Sequence, residues 1–121
     1  MTAARAPLDR QSILLVADDV LGAFRLRQHL AAAGARVIMG DARETIPYLA
    51  APALAAVVVA ADVNATDRAA LVAELTLCDA PWVAYGSGAQ TADLAGAAAR
   101  LGPDPALLVE TLAALLAPAR H

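Results

Sequence analysis

Ser12-Ile13-Leu14-Leu15-Val16-Ala17-Asp18-Asp19 runs from a compact apolar stretch straight into two carboxylates. Continuous Ile, Leu and Val, rather than alternation, is how a strand covered on both faces reads. The period then changes. Between Val20 and Ala33, residues Ala23, Leu26, Leu30 and Ala33 share one helical stripe, and Gly34 supplies a C-terminal stop. One buried strand, one acidic turn and one amphipathic helix make the first unit.

The alternation recurs along the chain. Ala35 to Met39 reads as a second strand and Arg43 to Ala50 as a short helix containing Pro47. Ala55 to Ala61, rich in Val and free of charge, is the central strand. Thr66 or Asp67 is expected to cap a third helix that runs to about Thr76. Pro81 to Tyr85 is a fourth strand, closed by Gly86-Ser87-Gly88, and a short helical piece lies near Thr91 to Leu94. A weak strand near Ala97 to Leu101 precedes a last helix with Asp104 as N-cap and Pro105 at its first position. Five such units predict a doubly wound α/β domain with a five-stranded parallel sheet. Residues 1–11 are expected as an N-terminal tail and 12–118 as the domain.

Composition narrows the function. A chain of 121 residues holds one domain with a proper core. It is 60% hydrophobic with a mean hydropathy of +0.56, but 34 residues are alanine, so the apolar fraction overstates the core. A net charge of -3 and a pI near 5.1 leave no basic footprint for nucleic acid. Ile13 to Ala17, the longest strongly apolar run, is too short to span a membrane. With no signal-like leader either, the expected location is cytoplasmic. Cys78 is the sole cysteine, which excludes a disulfide scaffold and a Cys-cluster zinc site. All nine basic residues are Arg; the chain has no Lys.

Sites in doubly wound folds lie at the carboxyl ends of the strands. Here those ends carry Asp18-Asp19, Asp62, and Tyr85 to Gly88. Asp18 or Asp19 alone is equally readable as a helix cap or turn residue. Three near adjacent strand ends repel one another unless a cation neutralises them, and a hard cation such as Mg²⁺ is the natural partner.

The segments Ile13-Leu14-Leu15-Val16-Ala17-Asp18-Asp19 and Val57-Val58-Val59-Ala60-Ala61-Asp62-Val63-Asn64, with Asp62 lying 44 positions after Asp18, carry a family likeness. Over essentially its whole length the chain resembles the CheY-like receiver domain of bacterial response regulators, in an atypical form. The resemblance implies a flavodoxin-like (βα)5 fold and a non-enzymatic role in two-component signalling. It makes Asp62 the phosphoryl acceptor, with Mg²⁺ held by Asp18, Asp62 and the backbone carbonyl of Asn64, and with Asp19 as a partial substitute in the acidic pair. It also implies a sensor histidine kinase or phosphotransfer protein upstream and a protein partner downstream.

Three positions depart from the family pattern. Ala17 stands where the first acid of the pair is expected. Tyr85 occupies the switch position usually held by Ser or Thr, and Ser87 offers a hydroxyl only with a two-residue slip. The family's Lys falls on Leu101 or Gly102, and Arg100 replaces it only with an inward side chain. The alternative function is therefore a pseudo-receiver, an unphosphorylated module acting through constitutive contacts.

Other groups read more plainly. His29 is expected on an exposed helix face and His121 in solvent. Gly86-Ser87-Gly88 lacks the lysine and spacing of a phosphate-binding loop and reads as a turn. Arg25, Arg27 and Arg36 read as surface residues, with an anionic ligand as the alternative. In the last helix Glu110 is the single charge between Ala106 and Ala117, while Leu107, Leu108, Val109, Leu112, Leu115 and Leu116 surround the axis. An outer helix buries one face, so a symmetric homodimer through Leu108, Leu112 and Leu115 is expected; the alternative is an Ala/Leu-rich helix with exposed leucines.

Overall fold

The computed structural model describes residues 7–50, 54–87, 94 and 96–116. Strand β1 spans Ser12–Val16, β2 Arg36–Gly40, β3 Ala56–Ala60, β4 Trp82–Tyr85 and β5 Ala99–Leu101. Helix α1 spans Val20–Ala32, α2 Ala42–Thr45, α3 Ala65–Leu75 and α4 Pro105–Leu116. The sheet has the order β2-β1-β3-β4-β5 and every pairing is parallel, as the alternating pattern predicts. From β1 the chain steps out to β2 and returns across to β3. That reversal opens a crevice at the carboxyl ends of β1 and β3, where Asp18 and Asp62 lie.

Side chains from the two sheet faces divide the core. Ile13, Leu15, Val58 and Val83 join Leu26 and Leu30 of α1 and Leu108 and Leu112 of α4. Leu14, Val16, Val57, Val59 and Ala84 pack on the other face with Val63, Leu71 and Leu75. Full burial on both faces accounts for the unbroken apolar strands, and each buried Leu or Val contributes about 1.5–3 kcal/mol.

The last helix departs from expectation. Leu108 and Leu112 are fully buried inside the molecule, against β1, β4 and α1, and are therefore not available to a dimer face. Leu107 and Leu115 are exposed on α4, eight residues apart, with Glu110 between them.

Local chemistry moves several boundaries. Pro47 cannot donate the N–H that would continue the second helix. The segment instead forms the short α2, opened by an Asp41/Glu44 capping box, and then a 3₁₀ turn over Ile46–Ala50. Asn64 caps α3 in place of Thr66 or Asp67; its side-chain oxygen accepts the Asp67 N–H at 2.9 Å. Residues 7–11, part of the expected tail, are docked: Leu8 is buried and its N–H donates to the Ala33 carbonyl at 2.8 Å. Of the piece near Thr91 to Leu94, Leu94 alone is described, and it is buried. Gly88, Ala117 and His121 lie outside the described residues.

Candidate functional site

The crevice is built from two loops that exchange hydrogen bonds. Asp62 follows β3, and its two carboxylate oxygens accept the backbone N–H groups of Asp18 at 3.3 Å and Asp19 at 2.7 Å. In return, the Asp18 carboxylate accepts the Asn64 N–H at 3.0 Å. Each carboxylate thus meets the amides at the start of the other loop's helix, where backbone donors are unpaired and negative charge is favoured. This reciprocal clasp joins the β1–α1 and β3–α3 loops.

Buried Val63 anchors the Asp62 loop from below. Arg68, one turn into α3, reaches back over it: its Nη1 donates to the carbonyls of Ala61 at 3.3 Å and Val63 at 3.2 Å. Those two carbonyls flank Asp62, so Arg68 holds the loop that presents it. Sequence reasoning missed this contact, and an arginine six residues after the aspartate was its sole signal.

Asp18 and Asp19 point into different clefts. Asp18 lines one with Met39, Asp41 and Glu44, toward β2. Asp19 lines another with Asp62, Leu15, Ala23, Leu26, Tyr85 and Ser87, between α1 and the end of β4. Asp19 is the N-cap residue of α1, yet its side chain makes no capping bond. Gly22 leaves it room, since a Cβ there would sit 2.7 Å from Asp19 Oδ2. Asp18, Asp19 and Asp62 form no ion pair among the described residues.

The other expected residues separate by position. Tyr85 is half-buried against the α1–α4 side of the core, and its hydroxyl is held above its ordinary value of 10, first by burial and then by the charge of Asp104. Ser87 is exposed at the cleft mouth. Arg100 is exposed, whereas its neighbours Ala99 and Leu101 face the α1–α4 core; it lines neither cleft. Arg25 and His29 line a third cleft with Tyr85 and Pro105, Arg27 stacks 5.8 Å over Phe24, and Arg36 is exposed on β2. Cys78 is half-buried, its thiol 3.5 Å from the Leu49 carbonyl.

A divalent cation is tested by this donor set. No three acidic, His or Cys side chains converge on a metal position among the described residues. The Asn64 carbonyl accepts the Arg68 N–H at 2.8 Å as the first bond of α3, and Asn64 turns its own N–H toward Asp18. That carbonyl keeps a second lone pair, and Asp18 and Asp62 add two carboxylates on the loops that the clasp joins. Magnesium commonly takes one or two carboxylates and keeps several waters; Asp18 and Asp62 would supply those carboxylates from the two neighbouring clefts they line.

No family model matches the chain, and no curated protein matches it in sequence. Solved structures do match. The receiver domain of the sensor histidine kinase PA1611 from Pseudomonas aeruginosa PAO1, crystallised with magnesium coordinated in its active-site cleft, superposes with a TM-score of 0.74. The two share 18% identity, with 90% of this chain and 99% of that one covered. A fusion carrying a trimeric coiled-coil segment of yeast Spc42 gives a TM-score of 0.76 at 13% identity, covering 90% of this chain and 78% of that one. The chain therefore has the CheY-like receiver fold. No helix among the described residues is long and apolar enough to cross a membrane.

Proposed function

We propose that the protein is a receiver module of two-component signalling that accepts a phosphoryl group on Asp62 and signals through protein contacts. The observation that carries this reading is the Asp62 carboxylate at the end of β3, oriented by the Asp18 and Asp19 amides at the crevice of a receiver fold. An Asp62 oxygen forms a bond to phosphorus as the P–N bond of a phosphohistidine donor breaks. The departing imidazole keeps the electron pair and takes a proton from solvent. The Asp18 and Asp19 amides hold the attacking group in place, and Arg68 steadies its loop. The donor is a sensor histidine kinase or a phosphotransfer protein. Magnesium, held by Asp18, Asp62 and the Asn64 backbone carbonyl, would neutralise the transferring oxygens; the PA1611 receiver domain carries that ion in its cleft.

A second reading is a pseudo-receiver that is never phosphorylated. It is favoured by the same clasp, which already satisfies Asp62 through two backbone donors, and by the absence of lysine from the chain. Beryllofluoride with magnesium separates the two. Phosphoryl acceptance predicts saturable amide shifts at Asp18, Asp19, Asp62 and Asn64, absent in Asp62→Asn. Unchanged spectra at millimolar reagent would leave the pseudo-receiver.

A further inference from the structure

Half-buried Arg68 binds three of the four carbonyls between Ala61 and Asn64. Its side chain takes those of Ala61 at 3.3 Å and Val63 at 3.2 Å, and its backbone N–H takes that of Asn64 at 2.8 Å. The Val63–Asn64 peptide is therefore held at both ends. Its carbonyl faces the guanidinium, and its N–H donates to the Asp18 carboxylate at 3.0 Å. A peptide dipole lying between a cation and an anion has each end against the charge that favours it, and hydrogen bonds in such a chain strengthen one another. Reversing this peptide would set a carbonyl against Asp18 and an N–H against the guanidinium. The Asn64 N–H is also the one donor to the Asp18 side chain among the described residues, where Asp18 forms no ion pair either.

We infer that Arg68 is a positioning residue for Asp18: it fixes the Val63–Asn64 peptide, and through that peptide's N–H it holds a carboxylate on the opposite loop. Its reach thus extends past the loop that carries Asp62. The arginine on α3 and the aspartate after β1 form one unit, coupled through a single peptide plane. On the phosphoryl-acceptor reading, which this inference deepens, the unit sets the orientation of a magnesium-holding carboxylate before any ion or phosphoryl group arrives.

The test compares the full chain with Arg68→Met, which loses every side-chain donor, and Arg68→Lys, which keeps a charged one. Exchange of the Asn64 amide with water is followed by NMR, without magnesium or a phosphoryl mimic. It should quicken about tenfold in Arg68→Met, as loss of a charge-assisted hydrogen bond implies, and be partly restored in Arg68→Lys. The Asp18 carboxyl carbon should shift in the same order. Asp18→Ala frees the same N–H directly, so adding Arg68→Met to it should quicken exchange no further. An arginine that only stabilises the fold would lower the urea midpoint without this dependence on Asp18. Unchanged Asn64 exchange in Arg68→Met, or a tenfold rise added on top of Asp18→Ala, overturns the inference. If Arg68→Met does not fold, Arg68→Gln, whose amide stops short of both carbonyls, carries the same comparison. A second arm adds beryllofluoride. Half-saturation by magnesium should need about tenfold more metal in Arg68→Met, as for loss of a residue that orients a metal ligand. An equal requirement in the two proteins also overturns the inference. No response in the unaltered chain removes the phosphoryl reading alone, because the exchange arm uses neither reagent and still decides the role of Arg68.

Discussion

Gly22 sits in the second half of the first turn of α1, where glycine costs helix stability relative to alanine. The Asp19 carboxylate is what a Cβ there would meet, and that carboxylate is the free end of a flexible side chain. Gly22→Ala should therefore raise stability by about 0.5–1 kcal/mol in urea unfolding while turning Asp19 out of its cleft. A changed Asp19 side-chain carboxyl shift with a higher urea midpoint is the expected pair of results; a lower midpoint would show that the carboxylate position is structural. Tyr85 makes a second case. The unfolded chain ionises a tyrosine near pH 10, whereas burial and Asp104 keep the folded hydroxyl protonated beyond that. Above pH 10 the unfolded state has released a proton that the folded state retains. Stability is thus full below pH 10 and is lost as pH rises through the raised folded value. With no lysine titrating over the same range, Tyr85→Phe should visibly flatten this alkaline decline in urea midpoint, and superimposable curves would reject it. Asp18 and Asp62 were legible as residues because strand ends and spacing locate them. The Arg68 clamp was not, since it depends on a side chain reaching carbonyls five and seven positions earlier.

At the scale of elements, apolar periodicity located every strand, but it could not say which leucines of α4 face inward. A helix that is apolar on most sides offers several equivalent stripes, and docking between α1 and the sheet selects the one with Leu108 and Leu112. Leu112→Arg would place an unpaired charge in a fully buried position and should abolish cooperative unfolding rather than dissociate a dimer. Leu115→Arg, on the exposed side, should change stability by no more than about 0.5 kcal/mol and leave the sedimentation coefficient unaltered. A shift to a smaller species in Leu115→Arg would instead restore α4 as a subunit contact. The second helix was misread for a different reason. Its hydrophobic spacing continues through Pro47, but a missing N–H overrides spacing, and the capping box at Asp41 sets a start one residue earlier than the pattern suggests.

Across the whole molecule, the topology was recoverable because buried parallel strands and their intervening helices leave a strong alternating signature. The chemistry at the strand ends was recoverable only as a set of acids, because loop geometry decides which amide each carboxylate takes. The clasp draws Asp18 and Asp62 together in a molecule of net charge -3, without a pairing cation among the described residues. Backbone N–H donors offset part of the resulting repulsion, and a divalent cation would offset more. Magnesium at ten times its dissociation constant should then stabilise the folded state by about 1.4 kcal/mol, a rise in melting temperature of roughly 5 °C for a domain of this size. Sodium chloride at matched ionic strength screens exposed charge generally and should give a smaller rise. Asp62→Asn should remove the difference between the two salts, because it takes away one of the two carboxylates while preserving an oxygen that can still accept the Asp19 N–H. Were magnesium and sodium chloride to raise the melting temperature equally in the unaltered protein, the clasp would be a loop fastening with no cation site in it.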